Sequence, residues 1–84
     1  MKFKAEIDVM PHDALLDPQG KAVTNSMKTI GLSSIEGVRI GKHISLFVEA
    51  SNEQEAHALV DEACKKMLVN QIMEAYHFSL SVAN

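Results

Sequence analysis

The chain has one cysteine, one arginine (Arg39) and no tryptophan. A single thiol cannot form an internal disulfide, which excludes the small secreted domains that are held together by staples. No apolar run approaches the ~20 residues that span a bilayer. Nothing at the start reads as a signal peptide, so a soluble, cytoplasmic chain without membrane contact is the expectation. Basic residues are few and scattered, and the formal charge is −3. A nucleic-acid partner needs a basic face to neutralise phosphates, so none is expected. There is no glycine-rich phosphate loop, because Gly20, Gly31, Gly37 and Gly41 are isolated and have turn or cap readings. His12, His43, His57 and His77 share no metal-ligand spacing. Cys64 lies on the apolar face of a helical segment, where a buried structural thiol is the ordinary outcome. Carboxylates are spread over solvent-facing positions. No catalytic, metal-binding or cofactor-binding residues are therefore expected.

What the chain does have is apolar content: 46% of 84 residues, against 23% charged. That length makes one domain, residues 1–84, which hides only ~60–65% of its unfolded surface. Part of so large an apolar fraction is expected to face a partner.

Alternation of Phe3, Ala5, Ile7 and Val9 with charged neighbours predicts a half-buried first strand. Met10 to Leu16 reads as a loop. A first helix is expected from Pro18 to about Ile30, with Val23, Met27 and Ile30 on one side and Gly31 as a left-handed C′ residue. From Ile35 to Glu49 the even positions Val38, Ile40, Ile44, Leu46 and Val48 are apolar. A three-residue Gly41-Lys42-His43 turn would make this a hairpin with both apolar sets on one side, and one strand bent at Gly41 keeps the same phase. Asn52 and Glu55 have capping-box spacing. Ala56, Leu59, Val60, Ala63, Cys64, Met67 and Leu68 then fill one face of a second helix. Tyr76, Phe78, Leu80 and Val82 mark a last strand. The order β-α-β-β-α-β predicts a ferredoxin-like α+β sandwich, a four-stranded antiparallel sheet with both helices on one face. Its open side would carry Lys2, Lys4, Glu6, Asp8, Arg39, Ser45, Phe47, His77, Ser79 and Ser81. Phe47 is the odd residue there, a candidate contact with another chain.

Asp17-Pro18-Gln19-Gly20 is the most informative segment. Asp17 is a helix cap and Pro18 suits the first helical position. Gly20 costs the first turn roughly 0.5–1 kcal/mol relative to Ala. One reading is a tolerated glycine; the other is backbone left open to a second chain. On the second reading, Gly20→Ala should fold more stably and assemble less well.

The block Leu16-Asp17-Pro18-Gln19-Gly20-Lys21-Ala22-Val23 resembles the PurS family, small subunits of phosphoribosylformylglycinamidine synthase. So do Gly37-Val38-Arg39-Ile40-Gly41-Lys42, Cys64-Lys65-Lys66-Met67-Leu68-Val69-Asn70 and the strand holding Tyr76. The resemblance runs over essentially the whole chain. Two stretches depart from the family's pattern: Met10-Pro11-His12-Asp13-Ala14 stands where Lys-Pro-Gly is common, and Asn70-Gln71 where Asn-Pro is frequent. The resemblance implies an accessory subunit of an ATP-dependent, glutamine-using ligase. It implies partners PurL (synthetase) and PurQ (glutaminase), and a homodimer or tetramer. ATP and Mg²⁺ would be used by the complex and not bound by this chain. Asp17, Pro18, Gln19, Gly20, Lys21, Arg39, Gly41, Lys42 and Phe47 are the expected partner-interface residues. A ligand-sensing ACT-type domain shares the same element order and is the alternative. An acylphosphatase-like hydrolase would need an arginine at an early loop, and Arg39 is expected on a strand.

Overall fold

The alternation at the start of the chain sets the centre of the fold. Strand β1 (Lys2–Pro11) buries Phe3, Ala5, Ile7 and Val9 almost completely and leaves Lys4, Glu6 and Asp8 half-buried on the other side. The computed structural model describes residues 1–13, 15 and 17–83. The expected Met10–Leu16 loop begins later, after Pro11, and includes Ala14 and Leu16, which lie outside the described residues.

Strand β2 (Lys42–Glu49) and strand β3 (Glu74–Ala83) flank β1, both antiparallel, giving the order β2-β1-β3. Ile7 stands opposite Ile44 on one side and Phe78 on the other, so each strand presents its apolar residues to the same face.

Helix α2 (Glu53–Ala63) covers that face. Asn52 caps it, its side-chain oxygen accepting from the Glu55 N–H at 2.8 Å. The return bond of the expected capping box goes one residue further out, to the Ser51 N–H at 3.4 Å. Ala56, Val60 and Cys64 are buried against β1. The chain then widens into a π-helical turn over Cys64–Leu68, closed by the Val69 N–H on the Cys64 carbonyl at 3.0 Å. The wider turn breaks the helical period. Met67, expected on the apolar face, is 87% exposed, and Val69 is buried instead. Tyr76 O–H donates to Asp61 at 2.5 Å, tying β3 to α2. Two i,i+4 ion pairs, Asp61–Lys65 and Glu62–Lys66, at 2.9 and 2.6 Å, join α2 to the turn that follows it.

Helix α1 (Pro18–Thr29) ends as expected. Gly31 takes φ +85°, the Leu32 N–H reaches the Met27 carbonyl at 2.8 Å, and the Gly31 N–H reaches Lys28 at 3.3 Å. This is a Schellman closure.

Two expectations fail. The sheet described has three strands, not four, and residues Ile35 to Gly41 form no strand. Lys42 and His43, expected in a turn, already belong to β2, opposite Val9 and Asp8. The reason is a competing set of partners: the Val38 N–H is taken by Thr24 Oγ1 at 3.1 Å and the Ile40 N–H by Asp17 Oδ2 at 2.9 Å. Those donors are committed to α1 and cannot ladder with β2. The second failure follows. Carrying this segment with it, α1 lies off the sheet, and among the described residues the helical packing on it comes from α2 and the turn that follows. The molecule measures 51 × 28 × 14 Å with a radius of gyration of 16.6 Å. A compact chain of this length would have about 12 Å.

Candidate functional site

The informative Asp17 segment becomes a junction of three pieces of chain. The Asp17 carboxylate accepts from the Gly20 N–H at 3.0 Å through one oxygen and from the Ile40 N–H at 2.9 Å through the other. These backbone donors, Gly20 first, hold its pKa below the ordinary aspartate value. Thr24 repeats the arrangement two turns on, accepting from Val38 and donating to the Gly20 carbonyl at 2.9 Å. Arg39 completes it. Its guanidinium donates to the Asp13 carboxylate and to the Pro11 carbonyl, joining the segment to the end of β1.

Gly20 therefore has a role within its own chain. It is buried, and a Cβ added there would collide with the Val38 carbonyl and lie 3.0 Å from the Arg39 Cα. The close approach is intramolecular, which replaces the expectation that Gly20→Ala would fold more stably. Gly41 is equally constrained, since an added Cβ would strike the Val9 carbonyl and the Met10 side chain.

Around this junction lie two shallow clefts of about 320 and 450 Å³. Asp17, Pro18, Gln19, Gly41 and Lys42 line the first, and Lys21 and Arg39 help line the second. Eight of the nine residues expected at a partner interface thus gather at one end of the molecule, with Gly20 beneath the surface. The Lys42 ammonium stands 3.8 Å from Glu74, and Arg39 is already paired. Phe47 is elsewhere, on the open face of the sheet, 63% exposed, with the Lys2 and Lys4 ammonium groups 5.5 and 5.9 Å from its ring centroid.

Within the junction, Asp17 and Thr24 are bonded to backbone, and Arg39 to the Pro11 carbonyl and the Asp13 carboxylate. Cys64 is sealed in the core beneath α2, where burial pushes its thiol pKa up. Among the described residues no group of three or more His, Cys, Asp or Glu side chains is placed to hold a metal ion. Beyond the clefts the stretch that follows α1 carries an apolar margin: Ile30 is 67% exposed, and Leu32 and Ile35 are also exposed. Half-buried Ile44, Leu46 and Val48 on β2 are only partly covered by α2.

One residue escaped the sequence reading. His43 lies on the open sheet face, between Glu6 and Asp8, rather than in a turn. Starting the β2 alternation two residues earlier would have put it there, beside Ser45 and Phe47.

A family model described as PurS, phosphoribosylformylglycinamidine (FGAM) synthase, matches residues 4–82. The chain is 33% identical over 78 residues to the PurS subunit of that synthase from Bacillus subtilis, covering 93% of this chain and 92% of the relative. It is 35% identical over 74 residues to the Thermotoga maritima subunit, covering 88% and 90%. Among solved structures, B. subtilis PurS superposes with a TM-score of 0.86 at 32% identity, over 95% of this chain and 99% of that one. A chain of the structure named PurLQS from T. maritima superposes at 0.88 and 32% identity, over 96% and 99%. Matched across nearly its whole length, this chain belongs to the PurS family of phosphoribosylformylglycinamidine synthase subunits.

Proposed function

We propose that this chain is the non-catalytic bridging subunit of a cytoplasmic phosphoribosylformylglycinamidine synthase. It joins a PurL-type synthetase to a PurQ-type glutaminase and helps to enclose the ammonia passing between them. The complex would convert formylglycinamide ribonucleotide to formylglycinamidine ribonucleotide with glutamine, ATP and Mg²⁺, none of which this chain needs to bind. Excluding water from that path requires a closed interface, a task for surface shape rather than for a reacting group.

The observation that carries this reading is the arm formed by α1 and residues 30–41. It lies off the sheet and presents Ile30, Leu32 and Ile35 to its surroundings. The PurLQS structure from T. maritima contains a subunit of this fold at 32% identity, named together with PurL and PurQ. We assign the partner contacts to the junction residues Asp17, Pro18, Gln19, Lys21, Arg39, Gly41 and Lys42, and to Phe47, with Gly20 supporting the backbone beneath them. A second copy of the chain is the natural cover for the arm and for the half-covered β2 residues, giving a homodimer, or a tetramer through the same faces.

The test is reconstitution. Purified PurL and PurQ are assayed for glutamine-dependent product formation with ATP and Mg²⁺, with and without this chain. Activity that rises on its addition supports the bridge; equal rates in both assays refute it.

A further inference from the structure

The open face of the sheet carries a cluster that the bridging role does not use. His43 on β2 lies between two carboxylates of β1, its Nδ1 2.6 Å from Asp8 and its Nε2 2.5 Å from Glu6. A neutral imidazole has one donor and one acceptor nitrogen. Facing carboxylate oxygens on both sides, it would leave one contact repulsive, whereas the imidazolium donates to both. The remaining groups around it agree. Ser45 Oγ donates to Glu6 at 2.6 Å and the Lys4 ammonium is 3.1 Å from the same carboxylate, so Glu6 stays ionised. From β3, His77 Nε2 approaches the far oxygen of Asp8 at 3.1 Å.

The position gives the contact its weight. β2 is the end strand of the described sheet and β1 is its sole neighbour there. We propose that His43 is a proton-operated clamp, fastening the edge strand β2 to β1 when its ring is protonated and loosening it when the ring is neutral. The direction of each titration follows from the contacts. The Asp8 and Glu6 carboxylates raise the His43 pKa above 6.5. The hydrogen bonds from Ser45 and His43 lower that of Glu6 to about 2, and the bond from His43 lowers that of Asp8 below 3.8. A raised histidine contributes its stability fully below 6.5 and loses it as the pH climbs through the folded value. The depressed carboxylates contribute above their unfolded values and lose it as the pH falls through the folded ones. The clamp is therefore closed in mildly acidic solution and opens on the alkaline side of 6.5.

The test uses the full chain and two readouts. The His43 ring resonances are titrated by NMR in the wild type, Glu6→Gln and Asp8→Asn, and amide exchange along β2 is followed across the same pH range. A midpoint above 6.5 that falls in both variants, with β2 protection relative to β3 dropping as that midpoint is crossed, supports the clamp. A wild-type midpoint at or below 6.5, or β2 protection that follows β3 at every pH, overturns it. Should one variant fail to fold, the wild-type titration and the other variant still decide.

Discussion

Gly20 shows how one residue can be read correctly as unusual and wrongly as to cause. In the first turn of α1 a glycine costs about 0.5–1 kcal/mol of helix propensity, so Gly20→Ala looks stabilising. Its surroundings oppose the change more strongly. The new Cβ would press on the Val38 carbonyl and the Arg39 Cα, both backbone, held in place by Thr24 and Asp17. Overpacking against atoms that cannot swing aside costs about 1–3 kcal/mol, which outweighs the helical gain. Chemical unfolding of Gly20→Ala should give a lower midpoint than the wild type. A higher midpoint would mean that residues 38–39 relax away freely and that the junction is soft.

At the scale of elements, the sequence told most where one period ran undisturbed. β1, the β3 alternation, the Asp17 and Asn52 caps and the Gly31 closure were all legible, because each depends on neighbours a few residues away. The missing fourth strand was not. Val38 and Ile40 carry a strand's alternation, yet their N–H groups go to side chains 14 and 23 residues earlier in the chain. No local pattern reports such a competitor. The π-helical turn hid in the same way, since Met67 has the right spacing for an α-helix and the wrong one for the wider turn. Of the site, the residues of the junction were legible, but not what binds them together. Asp17 serves two elements at once, which makes it separable from an ordinary cap. Asn52→Ala should cost ~1 kcal/mol, the usual worth of a cap. Asp17→Ala should cost more, and should also release the Ile40 amide to exchange while leaving β1 protected. Because the Asp17 pKa is lowered, its contribution is present above 3.8 and disappears as the pH falls through the folded value. Acid unfolding of Asp17→Ala should accordingly be flatter than that of the wild type over that interval. Equal losses in the two alanine variants would reduce Asp17 to a cap.

For the whole molecule the deciding number is size. A radius of gyration of 16.6 Å against about 12 Å for a compact chain of this length means that the arm adds reach without adding core. Among the described residues the buried apolar ones all belong to β1, α2 and the stretches that adjoin them; α1 contributes only Gly20 to the interior. A helix of 12 residues with so little tertiary packing is marginal in water. Its stability has to come from the junction bonds and from whatever covers Ile30, Leu32 and Ile35. If the cover is a second copy, association is linked to folding, and the melting temperature must rise with protein concentration. Thermal unfolding at dilutions spanning about two orders of magnitude should therefore show a steady fall in Tm as the protein is diluted. Replacing Ile30 and Ile35 by aspartate should remove that dependence, with sedimentation showing a single-copy mass, while the β1–α2 core stays folded by circular dichroism. A wild-type Tm independent of concentration, together with a single-copy mass, would leave the arm to the larger subunits alone. Helix α1 would then gain amide protection only when PurL and PurQ are added.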